Sequence, residues 1–268
     1  MNKKTLNLRE SESMDWTIIN EKVQAWMQEA RQLILKRRTQ ALKIDEKTSR
    51  LDLVTNVDCE IESFYTKKIM AAFPNSEIFG EEHGKQHETK QADLLWIIDP
   101  IDGTMNFIKQ AANYASMIAI YENGHEKLGY ILDVAQNKLY WGGPECGVFC
   151  NETKLNPPEN LALEQGLIGI GGRMLLANYL HVQDACQASL GIRISGSAGM
   201  EFINVLSGKT IAYLSHLKPW DYAAGKIMAE TLGLVVKTID GNPLAVLSSS
   251  DVLVATKNAQ QGILKWLR

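Results

Sequence analysis

Three short segments place carboxylates where an apolar segment ends or a helix begins. Glu81 follows a short predicted strand, and Asp99 and Asp102 follow a strongly apolar one at 94–98. Asp221 stands at the start of a predicted helix. Clustered carboxylates repel one another and cannot all stay ionised without a counterion. A hard divalent cation with oxygen ligands, such as Mg²⁺, resolves that repulsion, and four carboxylates suffice for two ions bridged by Asp99.

The hexapeptide 99–104 has the residue types that a metal and phosphate site needs. Asp99 and Asp102 can face one point, with the Ile101 carbonyl between them as a third oxygen ligand. Gly103 allows the backbone to approach a ligand closely. The amides of Gly103 and Thr104, at a predicted helix start, are suited to hold phosphate oxygens.

Each segment alone also fits a turn, a solvated loop or a helix cap. Five fixed residues within one hexapeptide, however, arise by chance in only about one chain in 10⁴ of this length at ~5% usage per residue. The three segments together therefore favour a metal site.

Composition narrows the function classes. The 268 residues are 45% hydrophobic and 22% charged, as in globular proteins. A net charge of −3 supplies no basic field for a nucleic-acid partner. The polar start of the sequence and the lack of long apolar stretches predict neither a signal sequence nor a membrane span. Four sparse cysteines favour a reducing compartment, and a cytoplasmic location is expected.

The pattern of elements predicts two halves that meet near Asn156–Asn160. The half 1–155 contains a loose extension (1–13), two helices (from Asp15 to Arg38 and from Asp58 to Pro74), an exposed mobile loop (Lys43–Asp52), a short strand (Glu77–Phe79), the apolar strand 94–98 and an antiparallel meander (Tyr114–Tyr121, Lys127–Val134, Lys138–Trp141). The half 156–268 alternates five strands (Gly166–Ile170, Ile192–Ser195, Ile211–Ser215, Leu234–Ile239, Val252–Ala255) with helices that include Met174–Ala188 and Tyr222–Leu232. Most of the predicted metal ligands fall in the first half, and Asp221 falls in the second.

The segments GEE, WIIDPIDGTMNF and KPWDYAAG, with LDLVTNVD before them, resemble the signature of the inositol monophosphatase family. That family belongs to a superfamily of lithium-sensitive, magnesium-dependent phosphatases that also includes fructose-1,6-bisphosphatases. The match runs in order from about Lys47 to Gly225. It implies an α+β fold, a layered α-β-α-β-α sandwich, and commonly a homodimer. The implied substrate is a small phosphorylated metabolite.

The resemblance also implies roles for individual residues. Glu81, Asp99 and the Ile101 carbonyl resemble the ligands of a first, water-activating Mg²⁺. Asp99, Asp102 and Asp221 resemble those of a second Mg²⁺, and a third, weaker ion would also use Glu81.

Around these ions, Asp58 resembles the carboxylate that hydrogen-bonds the nucleophile-orienting threonine, here Thr104. Lys47 corresponds to a mobile-loop lysine near the phosphate. The segment Gly196-Ser197-Ala198 resembles the lining of the alcohol side. The implied reaction is in-line attack of a metal-activated water on phosphorus.

One position departs from the family pattern. Members that act on inositol phosphates usually carry a glutamate seven residues before the second-metal aspartate, and here that position is Leu214. Weak discrimination among leaving alcohols is therefore expected, with inositol-1-phosphate, NADP(H), fructose-1,6-bisphosphate and a 3′-phosphoadenosine nucleotide as alternatives. A regulatory protein that keeps the fold without catalysis is a further alternative.

Two smaller features have no assigned role. Gly171-Gly172-Arg173 could hold a phosphate, although isolated Gly-Gly pairs are usually turns. His83 is predicted to be a surface residue, because no partner for a catalytic triad lies near it in the sequence.

Overall fold

Helices and sheets alternate in five layers. The computed structural model describes residues 14–49, 52–86 and 92–267. Its helices are α1 (Trp16–Arg38), α2 (Asn56–Ala72), α3 (Thr104–Lys109), α4 (Gly172–Leu176), α5 (Val182–Ala188), α6 (Ala198–Leu206), α7 (Pro219–Thr231) and α8 (Lys257–Leu264). None of the helices in these ranges has the length and hydropathy that a bilayer crossing demands.

The strands form a hairpin and two larger sheets. The hairpin pairs β1 (Ile44–Ser49) with β2 (Asp52–Thr55). An eight-stranded sheet has the order β10-β9-β8-β7-β6-β5-β3-β4, and a five-stranded sheet has the order β12-β11-β13-β15-β14. Their strands are β3 (Ser76–Gly80), β4 (Gly84–Gln86), β5 (Leu94–Asp102), β6 (Ala115–Glu122), β7 (His125–Asp133), β8 (Lys138–Gly143), β9 (Gly147–Cys150), β10 (Thr153–Lys154), β11 (Leu167–Ile170), β12 (Gly191–Arg193), β13 (Ala212–Leu217), β14 (Val235–Thr238) and β15 (Ser250–Ala255).

Three apolar clusters hold the layers together. The first lies between α1, α2 and one face of the eight-stranded sheet, where Trp96 is fully buried. The second lies between the other face of that sheet, α6, α7 and the five-stranded sheet, and it includes Phe202 and Tyr222. The third packs α5 and α8 against the outer face of the five-stranded sheet. The expected α-β-α-β-α order is therefore observed.

The eight-stranded sheet ends at Lys154 and the five-stranded sheet begins at Leu167. Most predicted elements are present, with ends shifted by a few residues. The apolar strand is longer than expected, because β5 continues through a bulge between Asp99 and Asp102.

Two local predictions are wrong. The segment 43–52, predicted to be a mobile loop, contains most of the β1–β2 hairpin, although residues 50–51 lie outside the described residues, as does the predicted extension 1–13. Strand β1 is charged, and even its one apolar residue, Ile44, is half-exposed. Its sequence therefore lacks the alternation of apolar and polar residues that would signal a strand.

The helix predicted over Met174–Ala188 is interrupted. Asn178, Leu180 and His181 have left-handed backbone, with φ of 46°, 53° and 57°. The chain there forms α4, a 3₁₀ turn at Tyr179–His181 and α5. Apolar spacing continues through the break, and for that reason the periodicity suggested one helix.

Candidate active site

Two parallel strands bring the first two carboxylate segments to one sheet edge. Strand β3 runs parallel to β5, with Gly80 opposite Ile98. The Glu81 amide continues that pairing by donating to the Ile98 carbonyl at 3.1 Å. Because parallel strands end at the same edge of a sheet, Glu81 and Asp99 emerge side by side.

Three of the predicted metal ligands form one carboxylate cluster. Asp99, Asp102 and Asp221 each offer an oxygen, and these oxygens all lie within 4.8 Å of one another. Asp99 and Asp102 come from the bulged end of β5, whereas Asp221 comes from the first turn of α7. The Asp221 carboxylate also accepts a hydrogen bond from the Lys218 amide at 2.8 Å. The first and second halves of the chain therefore meet at this cluster.

The electrostatics of the cluster favour a bound cation. Burial, with the nearby charges of Glu81, Asp102 and Asp221, raises the pKa of Asp99 well above its usual range. Burial likewise raises the pKa of Asp102 to about 6, and burial with the charges of Glu81 and Asp102 raises the pKa of Asp221 well above its usual range. Among the residues that the structure describes, nothing hydrogen-bonds the buried Asp99 Oδ1 atom. A divalent cation would neutralise these charges and give this oxygen a partner, so the donor set fits Mg²⁺.

Asp102 ties the cluster to the segment predicted to line the alcohol side. The Ser197 hydroxyl and the Gly199 amide donate to Asp102 Oδ2, the latter at 2.7 Å, and the Ala198 amide donates to Oδ1 at 3.1 Å. Gly103 has φ of +86°, and a Cβ atom there would lie 2.9 Å from the Ser197 Cβ. Only glycine fits at position 103 without strain. The Ser197 hydroxyl is engaged with a carboxylate.

The predicted contact between Thr104 and Asp58 is present. The Thr104 hydroxyl lies 3.1 Å from Asp58 Oδ1 and 3.1 Å from the Ile101 carbonyl, and its one proton goes to either acceptor. Asp58 is fully buried at the third position of α2, where it also accepts from the amide and hydroxyl of Thr55. Burial raises the pKa of Asp58 despite these hydrogen bonds. The first turn of α2 thus fixes the position of the Asp58 carboxylate, which accepts from Thr104.

Lys47 reaches the site and contacts carboxylates. Its ammonium lies 2.9 Å from Glu81 Oε1 and 2.7 Å from Glu82 Oε1. Burial alone would lower the pKa of Lys47, but the two carboxylates outweigh it and the pKa is raised. Burial raises the pKa of Glu82 to about 7. The β1–β2 hairpin therefore brings a cation to the edge of the cluster.

Sequence reasoning missed Glu62, which holds the turn that carries Glu81. Its carboxylate is fully buried and accepts from the Glu82 and His83 amides at 2.7 and 3.0 Å. It also bonds the His83 imidazole at 2.7 Å, and His83 lies at the surface as expected, with its side chain 42% exposed. A Cβ atom at Gly80 would lie 2.3 Å from the Glu62 carboxyl carbon. The sequence signal that could have identified Glu62 is its position four residues after Asp58, which places both carboxylates on the same face of α2.

A cavity of about 680 Å³ extends from the carboxylate cluster toward α4. Asp102 and Asp221 of the cluster line it together with Gly196, Ser197 and Ala198, the segment that the resemblance implies for the alcohol side. The other lining residues include Gly171, Gly172, Arg173, Tyr179, Ile194, Tyr213, Ser215, His216 and Asp251.

The structure corrects the expectation about Leu214. Its side chain is fully buried in the apolar cluster on the outer face of the five-stranded sheet. Side chains alternate along a strand, so Tyr213 and Ser215 of β13 face the cavity instead. Of the two neighbours Leu214 and Ser215, only Ser215 therefore faces the cavity.

Comparisons with known proteins agree with this geometry. Residues 16–268 match the model of the inositol monophosphatase family. The Bacillus subtilis inositol-1-monophosphatase is 37% identical over 257 residues, which cover 94% of this chain and 97% of that protein.

Solved structures resemble the whole fold. An IMPase/NADP phosphatase complexed with NADP and Ca²⁺ at pH 7.0 superposes with a TM-score of 0.88 at 31% identity, covering 94% of this chain and 95% of the other. An IMPase/NADP phosphatase complexed with Mg²⁺ and phosphate gives a TM-score of 0.86 at 30% identity, covering 93% and 94%. The chain therefore belongs to the inositol monophosphatase family and is a phosphoric monoester hydrolase of that family.

Proposed function

We propose that this protein hydrolyses a small phosphate monoester in a Mg²⁺-dependent reaction. The observation that supports it most strongly is the cluster of Asp99, Asp102 and Asp221, with oxygens within 4.8 Å and one Asp99 oxygen without a hydrogen-bond partner among the described residues. A buried cluster of this kind is costly to a fold unless a cation neutralises it.

Two ions fit this donor set, with Asp99 between them. Glu81, Asp99 and the Ile101 carbonyl would hold one, and Asp99, Asp102 and Asp221 the other; a third would share Glu81. Bound there, Mg²⁺ lowers the pKa of a coordinated water and neutralises phosphate charge.

The chain's own residues orient the reactants. When the Thr104 hydroxyl donates to Asp58, its oxygen lone pairs are free to accept a hydrogen bond from the attacking water and so orient it. Glu81 lies on the same side of the site and fixes that water's position. The amides of Gly103 and Thr104 donate to phosphate oxygens, and the walls at 196–198 hold the alcohol that leaves.

The direct test is phosphate release with Mg²⁺ and with excess chelator, over a panel of inositol-1-phosphate, NADP, fructose-1,6-bisphosphate, a 3′-phosphoadenosine nucleotide and glycerol-2-phosphate. Hydrolysis that needs Mg²⁺ supports the proposal. Hydrolysis undiminished by chelator would contradict it, and release of no phosphate from any substrate would favour the regulatory alternative.

Specificity is proposed to be broad. Strand β13 presents the Ser215 hydroxyl to the cavity and buries Leu214 away from it, so it offers no carboxylate to a polyol, which gains little over other alcohols. We expect kcat/KM for inositol-1-phosphate to be no more than about tenfold above that for other small monoesters.

The protein is also proposed to act in the cytoplasm as a homodimer. All four cysteines are free, as expected in a reducing compartment. Leu190, which precedes the edge strand β12, is 67% exposed, and Leu176 is 86% exposed. Pairing of two copies would cover such apolar residues. Light scattering should give twice the chain mass, and Leu176→Lys with Leu190→Lys should give a monomer; a monomeric wild type would refute the dimer.

A further inference from the structure

We propose that Gly225 and Gly129 are positioning residues of the proposed metal site, because they set how closely helix α7 approaches its neighbours. Of the three cluster carboxylates, only Asp221 comes from the second half of the chain, in the first turn of α7. Its distance from the other two therefore depends on where α7 lies. The inference rests on the proposed function, since it concerns the same carboxylates, and it adds residues that touch neither metal nor substrate.

Gly225 brings α7 into close contact with α6. It lies one helical turn after Asp221, and a Cβ atom at this position would lie 2.3 Å from both Cγ and Cδ1 of Phe202. Such atoms would overlap, since carbon atoms pack ~3.5–4.0 Å apart. The ring cannot swing away, because Cγ is bonded directly to the Cβ of Phe202, and the ring is fully buried with an edge contact to Tyr213. A larger side chain at 225 would therefore push α7 away from α6.

Gly129 of β7 brings the sheet into close contact with another side of α7. A Cβ atom there would lie 2.3 Å from the Ala224 carbonyl oxygen and 3.2 Å from the Ala224 Cα. Neither Gly129 nor Gly225 has a positive φ, so backbone conformation does not demand glycine at either position. Inside a helix or a strand, glycine is also locally unfavourable. The close approach of α7 is thus the physical reason for both glycines.

Helix α6 connects the same contact to the other side of the cluster. Its Gly199 amide donates to Asp102 Oδ2 at 2.7 Å, and Phe202 follows three residues later on that helix. The contact between Phe202 and Gly225 therefore sets the spacing between two helix starts. One of them holds Asp102, and the other carries Asp221.

This spacing matters for a bound Mg²⁺ ion. Mg²⁺ demands near-octahedral geometry with oxygens at ~2.0–2.1 Å, so small shifts of a ligand weaken its binding. A Cβ atom at 225 needs a displacement of about 1 Å to regain ordinary contact with the ring. Along one turn of a hydrogen-bonded helix, that displacement reaches Asp221. Residues that only orient metal ligands typically change metal affinity by about 10–100-fold.

The test variants are Gly225→Ala and Gly129→Ala, with Gly262→Ala as the matched control. Gly262 lies inside α8, where a Cβ atom would be 2.8 Å from the Leu163 Cβ, but α8 carries no predicted metal ligand. Calorimetric titration with Mg²⁺ and thermal unfolding in chelator give two separate readouts. We expect the Mg²⁺ dissociation constant to rise at least tenfold in the two test variants and to stay within twofold in the control, whatever the three Tm values are.

Removal of the Phe202 ring provides a rescue. Phe202→Ala should lower Tm, because it leaves a cavity. Combined with Gly225→Ala, it should nevertheless return the Mg²⁺ dissociation constant to within threefold of the wild-type value, since α7 can then approach α6 again. If Gly225 acted on stability alone, the double variant would bind Mg²⁺ no better than Gly225→Ala.

Unchanged Mg²⁺ affinity in the folded test variants, an equal loss in Gly262→Ala, or no recovery in the double variant would overturn the proposal. Failure of both test variants to fold would overturn it as well, because the glycines would then serve the fold rather than the site. Phosphate release by the wild type separates these outcomes from the proposed function. If the wild type binds Mg²⁺ but hydrolyses no monoester, the phosphatase proposal fails, and the Mg²⁺ affinities of the variants still decide the positioning role.

Discussion

The two ends of the cavity differ in how their side chains are held. At the phosphate end, Asp102 accepts two backbone amides and a hydroxyl, and Asp58 is fixed by the first turn of α2. At the alcohol end, Arg173 and Tyr179 are exposed and stand on a short helix and a turn with left-handed residues. The first end is therefore held by buried hydrogen bonds, whereas the second is open to solvent.

Metal removal should have the largest effect on activity, because it acts on the buried end, where the reaction is proposed to take place. Excess chelator should abolish turnover, and added Mg²⁺ should restore it and raise Tm. Lithium should inhibit, as in the family that the sequence resembles. Phosphate release at constant enzyme and varied Mg²⁺ provides the measurement. An unchanged rate of phosphate release in excess chelator would contradict the proposal that the buried carboxylate cluster works with a bound metal.

Asp99→Asn should lower kcat/KM by roughly 10³-fold or more, since an amide neither bridges two cations nor neutralises them. In chelator the same variant should have a higher Tm than the wild type, because one buried repulsive charge is gone. Thermal unfolding with and without Mg²⁺ tests both statements. Near-normal activity in a folded Asp99→Asn protein would show that the metal assignment is wrong.

Glu62→Gln should lower activity about 100-fold and raise the half-saturating Mg²⁺ concentration, as for residues that orient metal ligands. The NH₂ group of the glutamine would face one of the two backbone amides, that of Glu82 or that of His83, with a donor of its own. Glu60→Gln is the matched control, because Glu60 lies on the same helix but pairs with Arg37 at the surface. If both variants behave alike, Glu62 does not position Glu81.

Asp58→Asn should cost about tenfold in kcat with little change in KM, since it acts only through Thr104. Thr104→Ser keeps the hydroxyl and should retain more activity than Thr104→Ala. Steady-state kinetics of the three variants at saturating Mg²⁺ provide the comparison. A loss in Asp58→Asn as large as that of Asp99→Asn would place Asp58 in direct contact with the reaction.

Ser215→Glu should have the smallest effect, a shift of less than about tenfold in preference toward inositol-1-phosphate over glycerol-2-phosphate. Leu214→Glu is its informative counterpart. Because Leu214 is fully buried in an apolar cluster, a carboxylate there should lower Tm and leave the substrate preference unchanged. A preference shift in Leu214→Glu without loss of Tm would show that Leu214 faces the substrate after all.

The sequence drew attention to one part of the phosphate end because the residues of that part are local. Asp99 to Thr104 lie within six positions, and the apolar strand before them can be recognised by composition alone. The layered order followed from the family resemblance. Counting seven positions back from Asp221, by contrast, selected Leu214, and only the alternation of β13 shows that Ser215 faces the cavity.

Local sequence patterns could not supply contacts between distant segments beyond those that the family resemblance implied. Glu62 meets His83 across 21 positions, and Lys47 meets Glu81 across 34. Left-handed backbone at Leu180 and His181 breaks a helix that apolar spacing favours. Such features depend on tertiary packing, which a periodicity analysis does not contain.

Hydrogen bonds from the start of α6 to the Asp102 carboxylate join the end of β5 to α6, across 95 to 97 positions of the chain. Opening of the layers at this point would expose the amides of Ala198 and Gly199 together with Asp102. Metal held by Asp102 should oppose such opening, so these two amides should exchange with deuterium more slowly when Mg²⁺ is bound. Binding of Mg²⁺ at the carboxylate cluster would thus also stabilise the whole protein against cooperative unfolding.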